Sequence, residues 1–310
     1  MYKERKICVV VPCFNEAKLI SKTLVGIPNF VDKIIVVDDF SKDDSTEIVA
    51  KLKKKDNRIF LIQHNQNRGV GAAIKSGYQL SIDENFDISV VMAGDNQMDS
   101  TELPRLIDPI INDNYDYSKG NRLKSPNLIK MPLLRRFGNS LLTLLNRISS
   151  GYWDIYDPQN GYTAISNKSL KRINLDNIYG RYGYCNDMLI EANINGLKVC
   201  DVSMDPVYAD EKSGIRLIPY TLRISLLLLF GFFRRINQKY GGLNFHPIWL
   251  FFFISFSFLF GTIILTTRML LKFKEYGEIP PINALALGVC VVAFSQFFLF
   301  ALWMDSQNSN

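Results

Sequence analysis

Residues 7–46 read ICVVVPCFNEAKLISKTLVGIPNFVDKIIVVDDFSKDDST. The stretch opens on an apolar, β-branched run, Ile7–Val11, and returns to one at Lys33–Val37. Between them Glu16–Gly26 reads as a helix. Short, continuously apolar strands separated by helices indicate parallel strands buried on both faces. The alternation continues with a helix at Ser45–Lys54, a strand at Ile59–Ile62 and a helix at Gly71–Leu80. Strands at Ile88–Met92 and Tyr115–Lys119 follow. The pattern predicts an α/β domain, Rossmann-like, with a mostly parallel sheet and helices on both faces. A second section, Pro132–Asp205, mixes helices (Leu133–Ile148, Gly183–Asn195) with strand-like pieces (Tyr162–Ile165, Lys198–Val202). It is expected to complete the sheet and wall in a site.

The whole-chain figures, 47% hydrophobic and 21% charged with net charge +6, average over two unlike parts. Up to about Tyr208 charges are scattered as in a soluble domain; beyond Leu217 dense apolar stretches alternate with short basic clusters. His246–Thr266 and Ile282–Met304 contain no Asp, Glu, Lys or Arg. Each reaches the roughly 20 residues a helix needs to cross a bilayer core of about 30 Å. Two such runs side by side read as a transmembrane pair. Before them Ile215–Tyr240 is rich in Leu and Phe, with Arg216, Arg223, Arg234 and Arg235 interspersed. That composition predicts helices lying in the membrane interface, arginines toward the lipid headgroups. The expected organisation is a catalytic domain over 1–214, interfacial helices over 215–242 and a two-span domain over 243–310, with spans at about 246–267 and 282–304.

Met1–Ile7 (MYKERKI) opens with charges and then a strand, unlike a signal peptide, so the catalytic domain is expected on the cytoplasmic face. Arg223, Arg234, Arg235 and Lys239 ahead of the first span agree with that side, although Arg268, Lys272 and Lys274 also populate the loop between spans. The five cysteines have no CxxC spacing and there are two histidines, which points to a reducing compartment and away from a Cys- or His-based metal site. A bilayer is the expected partner and nucleic acid is not; the two spans are compatible with a homo-oligomer.

In parallel α/β sheets ligands bind beyond the carboxyl ends of the strands. Strand one runs into Val11-Pro12-Cys13-Phe14-Asn15-Glu16, and strand two into Asp38-Asp39-Phe40-Ser41-Lys42-Asp43-Asp44-Ser45. Strand three is followed by Asn67-Arg68-Gly69-Val70-Gly71, and strand four by Ala93-Gly94-Asp95-Asn96-Gln97-Met98-Asp99. Singly, each has a plain structural explanation: a helix cap at Asp43–Ser45, a turn at Gly69 and Gly71, a loop acid at Asp95. Their recurrence at one edge, in four successive units, favours a nucleoside diphosphate sugar. A carboxylate such as Asp38 or Asp39 accepts from the imino and amino groups of a base. The diphosphate calls for a hard divalent cation with oxygen ligands, and Asp95 and Gln97, two apart in a turn, are suited to one ion.

The set VPCFNE, DDFSKDDST, NRGVGAAIKSGY and AGDNQMD resembles the family-2 glycosyltransferases of GT-A fold, in particular the dolichyl- and polyprenyl-phosphate sugar synthases. The resemblance extends through Gly120-Asn121-Arg122, the turn Asp157-Pro158-Gln159-Asn160-Gly161 and the paired C-terminal spans. It implies that Pro12, Phe14, Asn15, Glu16, Asp38, Asp39 and Gly94 line the nucleotide-sugar pocket, with Asp95 and Gln97 holding Mg²⁺ or Mn²⁺. It also implies that Arg122, Arg136 and Ser140 meet the phosphate of a polyprenyl or dolichyl acceptor. Arginine suits that task, giving bidentate and permanently charged contacts. Arg135 belongs to the same basic patch and reads nearly as well as a contact to anionic lipid.

Two features depart from the pattern. Ala93 stands where such enzymes carry the first acid of a D-x-D arrangement, which leaves one carboxylate fewer near the metal. The basic segment near Tyr208–Arg216 is altered by Glu211, so whether Lys212 or Arg216 closes over the diphosphate stays open.

The resemblance implies a membrane-anchored, inverting transfer of a sugar from UDP-glucose, UDP-N-acetylglucosamine or GDP-mannose to a lipid phosphate. A phosphate nucleophile is already anionic, so positioning and charge stabilisation dominate. A hydroxyl acceptor would need a base, and Asp187 is then the candidate. A non-catalytic scaffold is the remaining alternative, resting on Ala93. The dinucleotide fingerprint is incomplete: Gly69-x-Gly71 follows strand three and lacks a third glycine. No QxxRW signature of processive synthases is present.

Overall fold

The computed structural model describes residues 1–123, 133–205, 217–241 and 246–308, and the side chains of 133–139 and 217–219 lie outside what is described. By its internal contacts the chain divides into two compact units, Met1–Phe232 and Phe233–Asn310.

The first unit is built on a seven-stranded sheet in the order β3-β2-β1-β4-β6-β5-β7. Its strands are β1 (Ile7–Cys13), β2 (Lys33–Asp38), β3 (Ile59–Gln63), β4 (Ile88–Val91), β5 (Tyr117–Asn121), β6 (Thr163–Ser166) and β7 (Val199–Ser203). β1 pairs parallel with β2 and β4, aligning Val10 with Ile35 and Val9 with Val90, and β2 pairs parallel with β3. β6 runs antiparallel between β4 and β5, and β5 returns to parallel pairing with β7.

The helices of this unit are α1 (Ile20–Gly26), α2 (Ser45–Lys53), α3 (Val70–Asp83), α4 (Leu103–Asn112), α5 (Leu133–Ser150), α6 (Asn167–Leu170) and α7 (Tyr184–Ile194). α8 (Leu217–Tyr240) begins in the first unit and ends in the second. Alternate β1 residues serve two cores. Ile7, Val9 and Val11 pack with Ile20, Leu24, Val49, Leu106 and Ile107, whereas Cys8 and Val10 pack with Ala73, Ile74, Tyr78, Met188 and Leu189. Both faces of the strand are therefore buried, which is why its sequence is apolar without alternation.

Two local departures from the sequence expectation have physical causes. α1 starts at Ile20 instead of Glu16: the Leu19 and Ile20 amides both donate to the Glu16 carbonyl (3.0 and 2.9 Å) in a tightened opening turn, and the amides of Asn15, Glu16 and Ala17, which a helix start leaves open, are held by Ser41 Oγ (2.9 Å), Ser45 Oγ (2.8 Å) and Asp43 (3.0 Å). α4 does not show in the sequence pattern: it carries Pro104 in its first turn, where the missing N–H costs nothing, and Pro109 within it.

α8 is one continuous helix where separate interfacial helices were expected. In the first unit Ile224 and Leu228 pack with Leu142 and Ile190, and Ser149 Oγ donates to the Leu228 carbonyl (2.6 Å). Leu222, Leu226 and Phe230, on another side of the helix, are exposed.

The second unit holds the end of α8 and two long helices, α9 (Pro247–Tyr276, 30 residues) and α10 (Pro281–Gln307, 27 residues). Both have the length and apolarity of membrane spans. Edge-on ring contacts Phe251–Phe300 (4.9 Å between centroids) and Phe252–Phe298 (5.9 Å) join them, as does a bond from Ser255 Oγ to the Phe294 carbonyl (3.2 Å). Ile282, Leu285, Val289, Val292, Leu299 and Trp303 leave an exposed apolar stripe along α10. Exposed aliphatic surface of this extent suits lipid better than water.

Candidate active site

β1 to β4 run parallel, so the four sequence motifs at their carboxyl ends come to one edge of the sheet. Hydrogen bonds knit them together. Asn15, with a positive φ of 58°, donates through its amide to Ser41 and accepts from the Lys42 amide (2.8 Å). The Gly94 amide donates to the Pro12 carbonyl (3.3 Å), and Thr23 Oγ1 donates to the Gly94 carbonyl (3.0 Å). Phe14 and Phe40 leave exposed rings at this edge.

The two adjacent acids at the carboxyl end of β2, Asp38 and Asp39, differ in their surroundings. Asp39 is buried, its carboxylate accepting from the Arg68 amide (2.9 Å) and the Gly69 amide (2.7 Å) and contacting His64 Nδ1 (2.7 Å). Asp38 is also buried: its Oδ2 accepts from the Ser41 amide (3.2 Å), and its Oδ1 meets no partner among the described residues. A buried acceptor left unsatisfied at a ligand edge is a place for a donor to arrive.

Gly69 and Gly71 serve packing. A Cβ on Gly71 would lie 2.2 Å from the Tyr179 carbonyl oxygen, and one on Gly69 2.5 Å from that of Gly180. The Ala72 amide donates to the Gly180 carbonyl (2.9 Å). These glycines let the start of α3 lie against the 179–181 backbone. That accounts for the G-x-G spacing without a dinucleotide.

Asp95 follows β4 in a turn where Asn96 has a φ of 55°, and its Oδ1 accepts from the Gln97 amide (3.0 Å). Burial lifts the Asp95 carboxyl above the usual carboxylate range, with the Gln97 amide and the Arg122 guanidinium pulling it part of the way back. Glu16 packs near Gly94, its Cγ 3.6 Å from where a Gly94 Cβ would stand. Tyr182, an exposed residue, has its hydroxyl pushed up first by partial burial and then by the charges of Glu16 and Asp95. The Ala93 amide points to Met98 Sδ (3.2 Å).

Arg122 follows β5. Its Nε and one terminal nitrogen bond the Asp157 carboxylate (2.9 and 3.3 Å), and its own amide points to the same group (3.3 Å). The Asp157 side chain is 4% exposed and that of Arg122 46%, so a buried acid aims a half-exposed guanidinium. The turn carrying Asp157 is itself held: Lys119 Nζ donates to the Asn160 carbonyl (2.7 Å) and Asn160 Nδ2 to the Gly120 carbonyl (2.7 Å). Tyr220 of α8 donates to Gln159 Oε1 (2.5 Å).

Asp187 lies in the first turn of α7, buried, and accepts from the Tyr179 amide (2.7 Å). Ser140 is exposed on α5. Lys212 and Arg216, and the side chains of Arg135 and Arg136, lie outside the described residues. Asp157, His64 and Tyr182 were not among the sequence candidates. Asp157 had a signal in the quoted turn, but its role depends on a partner 35 residues away.

The residues at this sheet edge fit a divalent cation brought by its ligand. Among the described residues no three acidic, Cys or His groups converge to cage an ion. A hard cation on a diphosphate needs one or two protein carboxylates, the substrate oxygens and water supplying the rest. Asp95, raised by burial, gains from a nearby positive charge.

Residues 8–173 match the sequence profile of Glycosyl transferase family 2. The chain is a family-2 glycosyltransferase. The UDP-N-acetylglucosamine–dolichyl-phosphate N-acetylglucosaminyltransferase of Methanococcus voltae is 32% identical over 221 residues, covering 67% of this chain and 88% of that protein. The undecaprenyl-phosphate mannosyltransferase of Micrococcus luteus is 24% identical over 201 residues, covering 64% of this chain and 82% of the relative. Among solved structures, glucosyl-3-phosphoglycerate synthase from Mycobacterium tuberculosis, in complex with Mn²⁺, UDP-glucose and phosphoglyceric acid, superposes with a TM-score of 0.56 at 20% identity. That match covers 75% of this chain and 80% of the other, and bears out the GT-A fold. The family-2 assignment also agrees with the resemblance carried by the strand-end motifs.

Proposed function

We propose that this glycosyltransferase moves a sugar from a uridine diphosphate sugar to a polyprenyl or dolichyl phosphate at a membrane surface. The observation that carries the reading is Arg122, a half-exposed guanidinium fixed on buried Asp157 within the electrostatic reach of Asp95. A fixed arginine beside the cation-binding acid suits two phosphate groups meeting, the diphosphate that leaves and the phosphate that attacks. The relatives' names, one joining UDP-N-acetylglucosamine to dolichyl phosphate and the other naming undecaprenyl phosphate with mannosyl transfer, support this acceptor class.

Asp39 and Asp38 receive the base, with Phe14 at the pocket mouth. Asp95, with Gln97 beside it, holds Mg²⁺ or Mn²⁺, which would supply charge neutralisation to the departing diphosphate. Arg122 orients the acceptor phosphate, with Arg135, Arg136 and Ser140 of α5 as further phosphate or headgroup contacts. Lys212 or Arg216 covers the donor diphosphate. The acceptor is an anion before it reacts, so no side chain has to remove a proton. Asp187 accords with that, since its carboxylate is engaged with the Tyr179 amide as a loop fastener. α9 and α10 anchor the chain in the bilayer, and the exposed apolar side of α8 rests in the interface.

The acceptor class is tested by offering purified protein a labelled UDP-sugar with Mn²⁺ and either polyprenyl phosphate or the corresponding free alcohol. Transfer to the phosphate alone, lost in Arg122→Ala, is the expected result. Equal transfer to the alcohol would refute a phosphate acceptor and return Asp187 to the role of base.

A further inference from the structure

His64 sits one residue beyond β3 with both ring nitrogens engaged: Nδ1 meets Asp39 Oδ1 at 2.7 Å and Nε2 meets Ser76 Oγ of α3 at 2.9 Å. The His64 and Asp39 side chains are 6% and 4% exposed. The Asp39 carboxylate also receives the amides of Arg68 and Gly69, two obligate donors. With the carboxylate accepting from both, the matching arrangement puts the imidazole proton on Nδ1, directed at Asp39, and leaves Nε2 to accept from the Ser76 hydroxyl. Oδ1 then carries two bonds and Oδ2 one, while the Asp39 amide is bonded to the Cys13 carbonyl (2.9 Å). One acceptor position of Oδ2 remains for an incoming donor.

We propose that His64 is a positioning residue for the donor nucleotide, acting through Asp39, and that Ser76 sets the ring tautomer it needs. This rests on the reading that Asp39 meets the nucleobase. A carboxylate that must accept from a base N–H discriminates well only if it cannot rotate. The Arg68 and Gly69 amides hold one oxygen each, and the imidazole adds a second bond to Oδ1, which resists turning of the carboxylate further. The ring does not touch the nucleotide, so its effect falls on donor affinity and leaves turnover of bound donor little changed.

The test exploits the unequal reach of two amides. An Asn side chain carries its nitrogen to about the place of Nδ1, and a Gln side chain to about that of Nε2. Nucleotide affinity of the full-length protein is measured in detergent by calorimetry with UDP and with GDP, each with Mn²⁺, alongside the donor KM and kcat of transfer. His64→Asn is expected to bind the preferred nucleotide within a few-fold of the native protein. His64→Gln and His64→Ala are expected to bind roughly ten- to a hundredfold more weakly, with donor KM rising and kcat retained. Ser76→Ala should fall between. Thermal unfolding of each variant confirms that it is folded. Native-like affinity in His64→Ala and His64→Gln would overturn the proposal, and so would equal weakening in His64→Asn and His64→Ala, which is the signature of packing. Asp39→Asn separates the underlying reading: if it binds nucleotide as the native protein does, or if the native protein binds neither nucleotide, the base-reading role of Asp39 fails and takes His64 with it.

Discussion

Replacing Asp305 by Leu should destabilise the second unit severely, and the size of the effect follows from its surroundings. The side chains of Arg235 and Asp305 are 0% and 1% exposed, and two guanidinium nitrogens reach the two carboxylate oxygens at 2.8 and 2.7 Å. Tyr240 Oη adds a third bond at 2.6 Å. Taking both ions out of water is expensive, and their attraction offsets that cost only while both are present. In Asp305→Leu the Arg235 guanidinium stays buried without its countercharge, a loss of about 3–5 kcal/mol. At about 1.4 kcal/mol per decade, the folding constant falls by roughly two to four orders of magnitude. The double variant Arg235→Leu/Asp305→Leu removes both charges and should return to within about 1 kcal/mol of the native protein, or exceed it. Equilibrium unfolding of the three variants in mixed micelles measures all of this. A single variant costing under about 1 kcal/mol, or a double variant as unstable as the single, would refute the reasoning.

Three other outcomes are expected. Asp95→Asn should abolish transfer yet stabilise the fold near neutral pH. Burial raises the folded-state pKa of Asp95, so its ionisation opposes folding as pH rises through that raised value. A lowered melting temperature at pH 7, with no loss at pH 4, would reverse this sign. Asp157→Asn should cut kcat/KM for the lipid acceptor by about ten- to a hundredfold, the worth of one charge-assisted bond to Arg122, while nucleotide affinity holds; acceptor kinetics decide it. Gly71→Ala places a methyl 2.2 Å from the Tyr179 carbonyl, a backbone atom, and should cost about 1–3 kcal/mol by thermal unfolding; a neutral result would mean that the 179–181 segment yields freely.

How much was legible in the sequence varied with how local the cause was. β1 and β2 announce themselves because both faces of each are buried, so no polar residue interrupts the apolar run. α9 and α10 are plain from their length and unbroken apolarity alone, although most of their surface is exposed. α4 was hidden by Pro104 and Pro109, which break the local pattern while leaving Leu103, Leu106 and Ile107 to pack on the sheet. The start of α1 was misplaced by about one turn, at a boundary where Ser41, Asp43 and Ser45, more than twenty residues away, hold the amides that a helix start leaves open.

The site shows the same division. Asp38, Asp39, Asp95 and Gln97 stood out as candidates because they follow strand ends, a rule that needs only the order of elements. The pairing of Arg122 with Asp157 depends on β5 and the turn before β6 lying side by side, and no spacing in the chain reports it. His64 gave no signal beyond its rarity, since its partners Asp39 and Ser76 lie 25 and 12 residues away. Gly69 and Gly71 were visible as glycines, but their reason is the approach of the 179–181 backbone.

The central claim is tested most directly by transfer itself. Purified full-length protein in detergent is incubated with polyprenyl phosphate, Mg²⁺ or Mn²⁺, and radiolabelled UDP-glucose, UDP-N-acetylglucosamine or GDP-mannose in turn, then extracted with organic solvent. The account predicts label in the organic phase from a UDP-sugar, abolished by EDTA and absent in Asp95→Ala. Label that stays aqueous with every donor, or transfer that persists in Asp95→Ala, would contradict it.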